Sequence, residues 1–133
     1  MSEFEIIRNH FSRDYDRSDI NVGVGDDGAI LNIDQMIGSQ LVVSTDTIVE
    51  QTHFPEGTIA GNIAKRAMCI NLSDMAGMGA LPLWFTLSLT LPGDKANEAW
   101  LSEFSSGLFE IASEYNCALI GGDTTKGPLS VTI

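Results

Sequence analysis

The sequence predicts an α+β fold in which helices cover one face of a mixed β-sheet. Segments with strand and helix character alternate along the chain, but without the short, strict βαβ spacing of a doubly wound sheet. Trp84–Leu91 alternates apolar and polar residues, which is typical of a strand with one covered face. Residues 95–115 carry an apolar stripe at helical spacing, which supplies a helix able to cover that face.

Length and composition limit the classes of function. The chain has 133 residues, which suits one domain, and its 44% hydrophobic residues suffice for a core. Its formal net charge of −11 argues against nucleic acid and anionic membrane surfaces as partners. No apolar run approaches the roughly 20 residues of a membrane span, and no signal peptide is recognisable. The two cysteines, Cys69 and Cys117, are expected to be buried free thiols, and the protein to be cytoplasmic.

The first third of the chain predicts one helix and two short strands. Residues 2–12 should be helical, because Ser2 and Glu5 fit a capping box. Three apolar side chains are expected to share one face of this helix: Phe4, Ile7 and Phe11. After a polar loop over residues 13–19, Ile20–Val24 and Ala29–Ile33 are interpreted as strands that flank a glycine-rich turn.

The middle of the chain predicts a long strand followed by a long helix. Gln40–Val49 is apolar at its start and polar at its end, which indicates a strand running out of the core. Ile59–Met78 has helical character, with Thr58 as the expected N-cap, and Pro82 ends that region.

The last third predicts a helix between strands. Asp94 is expected to cap a helix over Lys95–Tyr115, and Asn116 to end it. The expected buried stripe of this helix is Leu101, Phe104, Leu108, Ile111, Ala112 and Tyr115. Cys117–Ile120 should be a strand that enters a sharp turn at Gly121, Gly122 and Asp123, before a last strand over Leu129–Ile133. Because the sequence stops inside that strand, we expect a piece of a longer protein.

Five aspartates stand apart from the glutamates of the amphipathic helix, which are simply a solvated surface. They lie in turns, at the polar end of a strand, or on an apolar helix face: Asp26, Asp27, Asp46, Asp74 and Asp123. Adjacent carboxylates such as Asp26 and Asp27 suit a hard cation with oxygen ligands, although a solvated turn explains that pair equally simply. A dinucleotide site is excluded there, because a strand rather than a helix follows the glycines.

Asp46 and Asp74 carry the stronger argument for ligands. Aspartate is disfavoured in strands, so Asp46 marks either a metal ligand or a strand that runs into a loop. Asp74 falls in line with apolar residues of its helix, and a carboxylate there is costly unless it binds metal or finds a partner such as Arg66. Asp123 follows two glycines that would let a ligand approach the backbone, but a hairpin turn is an alternative. His53 matters only if these carboxylates form a site.

Several acidic positions and few basic ones suggest a site that holds several cations. The sequence contains no phosphate-binding loop of the form G-x-x-x-x-G-K-[ST] and no protein-kinase signature. If the protein uses ATP, Mg²⁺ must therefore neutralise most of the phosphate charge.

The combined motifs resemble the thiamine-monophosphate kinase family. Those motifs are Gly25-Asp26-Asp27-Gly28-Ala29, Ser44-Thr45-Asp46-Thr47, His53-Phe54, Asn71-Leu72-Ser73-Asp74, Met78-Gly79-Ala80-Leu81-Pro82 and Gly121-Gly122-Asp123-Thr124. Several are shared with the sister families aminoimidazole ribonucleotide synthetase and selenophosphate synthetase. The His53 loop and the Leu81-Pro82 step distinguish the kinase, and the resemblance extends over essentially the whole chain.

The resemblance implies direct transfer of the γ-phosphoryl group of ATP to thiamine monophosphate, giving thiamine diphosphate, with several Mg²⁺ ions bound. It implies these metal ligands: Asp27, Ser44, Thr45, Asp46, Asp74 and Asp123. Of these, Asp46, Asp74 and Asp123 would be the catalytic residues. Gly122 and Asp123 would face ATP, and His53 would contact the thiamine substrate.

The resemblance also implies a ferredoxin-like N-terminal domain for ATP and Mg²⁺, spanning residues 1–133, without the C-terminal domain of the family. Two such domains would pair their sheets into a barrel in a homodimer. Three alternatives stay open from the residues: a sister ATP enzyme with another acceptor, a non-catalytic domain that binds divalent cations, and a purely structural dimerisation domain.

Overall fold

The computed structural model describes all 133 residues and contains three α-helices and six strands. The helices are α1 (Glu3–Ile6), α2 (Ala60–Gly77) and α3 (Glu98–Glu114). The strands are β1 (Ile20–Val22), β2 (Ile30–Leu31), β3 (Thr47–Val49), β4 (Trp84–Leu91), β5 (Ala118–Lys126) and β6 (Ser130–Thr132). A π-helical turn, Ile7–Phe11, continues α1, and a 3₁₀ turn, Asp34–Met36, follows β2. No helix combines the length and the apolar character needed to cross a membrane.

Four strands form a mixed sheet with the order β3-β6-β4-β5. β4 and β5 are parallel, whereas β6 is antiparallel to both β3 and β4. The predicted mixed sheet with helices on one face is therefore confirmed. The elements run β-α-β-α-β-β along the chain, which differs from the β-α-β-β-α-β order of the ferredoxin-like motif. The difference follows from the parallel pair, because parallel neighbours need a crossover, and α3 supplies it.

The core lies between the sheet and the pair α2 and α3. The alternation predicted for Trp84–Leu91 is confirmed: its odd-numbered members from Phe85 to Leu91 are buried against the helices. Leu101, Phe104 and Leu108 of α3 are completely buried. The two helices approach closely at glycines, since a Cβ on Gly107 would stand only 2.5 Å from the Gly61 carbonyl oxygen.

The helix ends differ from the sequence expectation. The capping box of Ser2 and Glu5 is confirmed. Thr58 does not cap α2, because its hydroxyl instead donates to the Pro55 carbonyl oxygen. Asp94 does not cap α3 either; Asn97 does, by accepting from the Trp100 N–H. The N-cap position of α2 is Ile59, which offers no capping side chain, whereas α3 begins three residues later than expected and uses Asn97.

Some predicted burial is also wrong. Phe4 is 76% exposed, because the π-helical turn shifts the buried face to Ile6, His10 and Phe11. Tyr115 is 49% exposed because it follows the last residue of α3, and the last buried residue of that helix is Ala112. Cys117 is buried as predicted, but Cys69 is exposed on the outer side of α2.

The strand predicted over Gln40–Val49 is only three residues long. Register explains the difference: Thr47 pairs with Thr132, and Asp46 still exchanges two backbone hydrogen bonds with Ile133 (3.0 and 3.1 Å). Residues 40–45 lie beyond that pair and have no partner strand. Since a strand is held by its ladder of hydrogen bonds, this segment stays irregular despite its sequence pattern.

Candidate functional site

The outer face of the sheet carries a row of small polar residues that ends at Asp123. Thr47, Thr132, Ser88 and Asp123 lie side by side on β3, β6, β4 and β5. The hydroxyl oxygens of Thr47 and Thr132 are 2.8 Å apart. Asp123 is exposed and so are Thr47 and Ser88, which gives this face oxygen donors and no apolar cover.

The sharp turn predicted at Gly121–Asp123 does not exist, because β5 runs straight on to Lys126. A bulge at Ile120 absorbs one residue between the pairs Phe85–Leu119 and Thr86–Gly121. Gly122 has a φ of +146°, and a Cβ there would overlap the Leu87 carbonyl oxygen. Gly122 therefore permits close strand packing, and the continuous strand presents Asp123 on its face rather than at a loop tip.

Asp46 lies where β3 meets the irregular segment before it. Its carboxylate accepts a hydrogen bond from the Thr47 N–H (3.0 Å), and its side chain is exposed. Of its two neighbours among the predicted ligands, Ser44 is half-buried and Thr45 is exposed. The segment directly before β3 therefore offers two hydroxyls and one carboxylate along three consecutive residues.

Asp74 is exposed, contrary to the expectation that it lies on the apolar face of its helix. α2 buries no residue beyond Asn71, so its last turns lie outside the buried core. Asp74 forms no ion pair, with Arg66 or otherwise. Because the Asp74 carboxylate is not buried, the cost of burying a charge gives no reason to expect a metal ion here. The carboxylate is nevertheless free to bind one.

The remaining predicted residues lie in turns. Asp26 accepts a hydrogen bond from the Asp27 N–H (2.9 Å), and both side chains are exposed. His53 Nδ1 accepts from the Val49 N–H (2.9 Å), which closes the turn after β3. With Nδ1 engaged as acceptor, neutral His53 carries its proton on Nε2, and that nitrogen can donate to a ligand.

One chain does not assemble these side chains into a metal site. No group of three or more His, Cys, Asp or Glu residues is placed to hold a metal ion. Asp46 directly precedes Thr47, which lies at the opposite end of the cross-sheet row from Asp123, three strand spacings or about 14 Å away. In one chain, the predicted ligands are therefore spread over four places: the segment before β3, strand β5, the end of α2, and the turn of Asp26 and Asp27.

A charged cluster that was not predicted from the sequence lies in the loop before β1. The Arg17 guanidinium donates two hydrogen bonds to Asp19 (2.9 and 2.6 Å), and Trp84 Nε1 donates to the same carboxylate (2.8 Å). Arg17, and to a lesser degree Trp84, hold the pKa of the Asp19 carboxyl below its ordinary value. Arg17 also donates to the Asn116 carbonyl oxygen, so the cluster ties the loop to the sheet. The only sign of this cluster in the sequence is an Arg and an Asp two residues apart in a polar run.

A cavity of about 680 Å³ opens between α2, the start of β4 and residues 39–44. Its lining is mostly apolar and includes Met68, Leu72, Met75 and Phe85. Asn71 also lines it, is 9% exposed, and donates through Nδ2 to the Ala67 carbonyl oxygen (2.9 Å). Its Oδ1 atom is the one buried side-chain polar atom without a hydrogen-bond partner.

Comparison with known proteins identifies the family of this chain. The family model for the N-terminal domain of AIR synthase related proteins matches residues 25–133. This chain belongs to that family. The AIR synthase related match begins at the turn of Asp26 and Asp27 and includes every predicted site residue.

Some relatives share extensive sequence identity with this chain as well as the fold. A thiamine-monophosphate kinase of Escherichia coli K12 is 47% identical over 98% of this chain, which spans 39% of that protein. The crystal structure of thiamine-monophosphate kinase from Stenotrophomonas maltophilia K279a has a TM-score of 0.79 and 47% identity, and the match covers 88% of this chain and 36% of that one. AaThiL complexed with AMPPCP and TMP has a TM-score of 0.61 at 30% identity, covering 67% of this chain and 29% of that one. The chain therefore spans about two fifths of the length of such relatives.

Proposed function

We propose that this chain is the N-terminal, ATP- and Mg²⁺-binding domain of a longer thiamine-monophosphate kinase. The observation that carries the proposal is the 47% identity with the Escherichia coli kinase over 98% of this chain. The solved complex of AaThiL with AMPPCP and TMP supports ATP and thiamine monophosphate as the substrate pair. The C-terminal domain would account for the larger part of the relatives' length, and the protein would be cytoplasmic.

The proposed reaction is a direct phosphoryl transfer. An oxygen of the thiamine monophosphate phosphate forms a bond to the γ-phosphorus of ATP, while the bond from that phosphorus to the β,γ-bridging oxygen breaks. The products are thiamine diphosphate and ADP. Because the attacking phosphate oxygen is already ionised near neutral pH, no strong general base is required, and positioning and charge neutralisation dominate catalysis.

The predicted ligands fit Mg²⁺ by their chemistry. All offer oxygen donors, and the three catalytic aspartates, Asp46, Asp74 and Asp123, are exposed and free of ion pairs. The other ligands we propose are Asp27, Ser44 and Thr45. Bound Mg²⁺ would supply neutralisation of phosphate charge. Mg²⁺ usually binds one or two carboxylates and takes its other ligands from water and phosphates, so the absence of a three-carboxylate cluster in one chain is compatible with this role.

Two further residues have proposed substrate roles. Gly122 and Asp123 would contact ATP, because both residues are exposed and Asp123 lies on the outer face of the sheet. His53 would contact thiamine monophosphate, for which its Nε2 is available as a donor.

We further propose that the polar outer face of the sheet is a dimer surface. Two copies would pair their sheets into a barrel, as the resemblance implies. The hydroxyl row of Thr47, Thr132 and Ser88 supports this, because side-chain hydroxyls can pair across a sheet-to-sheet contact without burying charge. In a barrel closed by two copies, Asp123 at the end of this row would lie near the partner.

The test uses the protein extended to include its C-terminal domain. With Mg²⁺, ATP and thiamine monophosphate, chromatography should detect thiamine diphosphate, and chelation of Mg²⁺ should abolish it. Asp46→Ala should lower kcat by about 100-fold or more, because it removes a ligand to charge that develops in the transition state. The matched control is Asp94→Ala, an exposed aspartate outside the proposed site.

Three outcomes would overturn the proposal. Equal rates for Asp46→Ala and Asp94→Ala would show that the Asp46 carboxylate takes no part in the reaction. A folded, extended protein that forms no thiamine diphosphate but hydrolyses or transfers phosphate from ATP to another acceptor would point to a sister enzyme, and metal binding without ATP use would point to a cation-binding domain.

A further inference from the structure

The turn after β3, residues 50–54, is closed around His53. The Gln51 N–H donates to the Phe54 carbonyl oxygen (2.7 Å). The His53 N–H donates to the Val49 carbonyl oxygen (2.8 Å), and the Val49 N–H donates in return to Nδ1 of the His53 ring (2.9 Å). The position of this turn therefore fixes where the ring lies, and it leaves Nε2 for a ligand.

The turn includes backbone that needs support from outside it. Gln51 has a φ of +66°, in the left-handed region that residues other than glycine rarely adopt. Such a conformation persists only where the surrounding structure holds it, and it is common at ligand-binding sites. The Phe54 side chain, which is 4% exposed, holds one end of the turn in the core. The other end, at Glu50, requires a second support.

An ion pair gives that support. Glu50 Oε1 lies 3.4 Å from Nζ of Lys95, with 17% of the glutamate and 18% of the lysine side chain exposed. Glu50 donates its N–H to the Leu129 carbonyl oxygen (3.1 Å), so it continues β3, and its side chain lies on the same face as buried Ile48. A carboxylate at the rim of the core is costly without a counter-ion, and Lys95 supplies the opposite charge.

Lys95 is itself fixed to the start of α3. Its N–H donates to the Pro92 carbonyl oxygen (3.1 Å), and its carbonyl oxygen accepts from the Asn97 N–H (2.8 Å). Asn97 caps α3, which contributes buried residues to the core. Asp94 also lies 4.0 Å from Nζ of Lys95, but it is 78% exposed, so Glu50 is the nearer and better buried partner. The ion pair therefore ties the turn to a helix that has its own place in the core.

We propose that Glu50 and Lys95 are positioning residues that hold the turn of residues 50–54 so that Nε2 of His53 meets thiamine monophosphate. The inference rests on the substrate role proposed for His53. Neither charged side chain needs to touch the substrate, because both act through the position of the ring. Since His53 would act in binding, loss of the pair should raise the KM for thiamine monophosphate and leave kcat and the KM for ATP unchanged.

The first measurement is steady-state kinetics on the protein extended to include its C-terminal domain. Lys95→Met removes the charge of the side chain and keeps most of its length, and should raise the KM for thiamine monophosphate about tenfold. Lys95→Arg keeps the charge and should retain the original KM. Lys65→Met is the matched control, because it breaks an exposed ion pair with Glu110 between α2 and α3, and it should change none of the kinetic constants.

A double-mutant cycle tests whether Lys95 acts through His53. His53→Ala should raise the same KM, and adding Lys95→Met to it should raise the KM no further, since the ring that the pair positions is gone.

A second combination separates positioning from stability. Lys95→Met leaves the Glu50 carboxylate without its counter-ion and should lower the Tm. Glu50→Gln combined with Lys95→Met leaves no unpaired charge, so the Tm should recover. The KM for thiamine monophosphate should stay raised in this protein, because the tie between the turn and α3 is still lost.

Three kinetic results would overturn the inference. The first is an unchanged KM in Lys95→Met while His53→Ala raises it. The second is additive effects of those two substitutions, which would show that Lys95 acts independently of His53. The third is a KM that recovers together with the Tm in the Glu50→Gln, Lys95→Met protein, which would make the ion pair merely structural.

Nitrogen NMR of the His53 ring distinguishes a failure of this inference from a failure of the proposed function, because it needs no substrate. The ring signals are assigned by their loss in His53→Ala. Lys95→Met should shift them, since Nδ1 no longer keeps its place against the Val49 N–H, and Lys65→Met should not. An unchanged KM in His53→Ala would overturn the substrate role of His53, whereas unshifted ring signals in Lys95→Met would overturn positioning by the ion pair.

Discussion

The sequence predicts a strand for both residues 40–46 and β4 (Trp84–Leu91), but the two regions have very different structures. β4 is a continuous strand with a buried face and neighbours on both sides. In the earlier segment Leu41 is 61% exposed and Val43 is 89% exposed, and no ladder forms. The difference teaches that alternation defines which residues share a face, whereas a strand exists only where another strand pairs with it.

The contrast extends to whole regions. From Thr47 onward, helices and strands bury one continuous core. Before it, residues 13–46 contain two strands of two or three residues, and several large apolar side chains remain exposed: Ile30, Ile33, Ile37, Leu41 and Val43. We expect substitutions to have large effects in the first region and small ones in the second.

The largest effect should come from Gly122→Ala in β5. Its Cβ would overlap the Leu87 carbonyl oxygen, and the φ of +146° is unfavourable for alanine. Because backbone atoms cannot move aside, we expect a loss of about 4 kcal/mol or more in the free energy of unfolding, measured by urea denaturation. Gly121→Ala is the matched control, since no atom lies within 4 Å of its Cβ position. Similar midpoints for both variants would show that β4 and β5 are not packed this closely.

A pair of leucine truncations compares the two regions directly. Leu108 is completely buried and Leu41 is 61% exposed, so the same chemical change removes packing at one site only. Leu108→Ala should cost about 2–5 kcal/mol by the loss of buried surface and the cavity left behind. Leu41→Ala should change stability by about 0.5 kcal/mol or less in this chain. A large cost at Leu41 would mean that the segment is covered in solution.

An effect smaller than that of Leu108→Ala is expected where the early loop is anchored. Asp19→Asn removes the charge that Arg17 and Trp84 bind and should cost about 1–3 kcal/mol at neutral pH. Because the native pKa of Asp19 is lowered, its contribution is present above an unfolded value of about 4 and is lost as pH falls through the native value. Thermal melts from pH 7 to pH 3 should therefore converge for the two proteins. Asp16→Asn, an exposed neighbour, should run parallel to the unchanged protein throughout.

Candidate site residues could be named from residue type, but their arrangement could not be predicted. Carboxylates at turns and strand ends indicated Asp46, Asp74 and Asp123 as candidates, and the resemblance predicted their roles. Local patterns could not show that a bulge at Ile120 aligns Asp123 with Ser88, or that α2 carries Asp74 beyond the core. The Arg17, Asp19 and Trp84 cluster escaped notice because Trp84 is distant in sequence from the other two.

By itself, the sequence determined the positions of α2, α3 and β4, the buried face of β4, and the capping box of α1, since each depends on neighbours three or four residues away or on strict alternation. The tertiary structure alone decided which strands pair, which cap is used, and whether glycines form a turn or a close strand contact. Those outcomes depend on backbone groups that meet from distant parts of the chain, as Asp46 meets Ile133, and no local pattern encodes such a meeting.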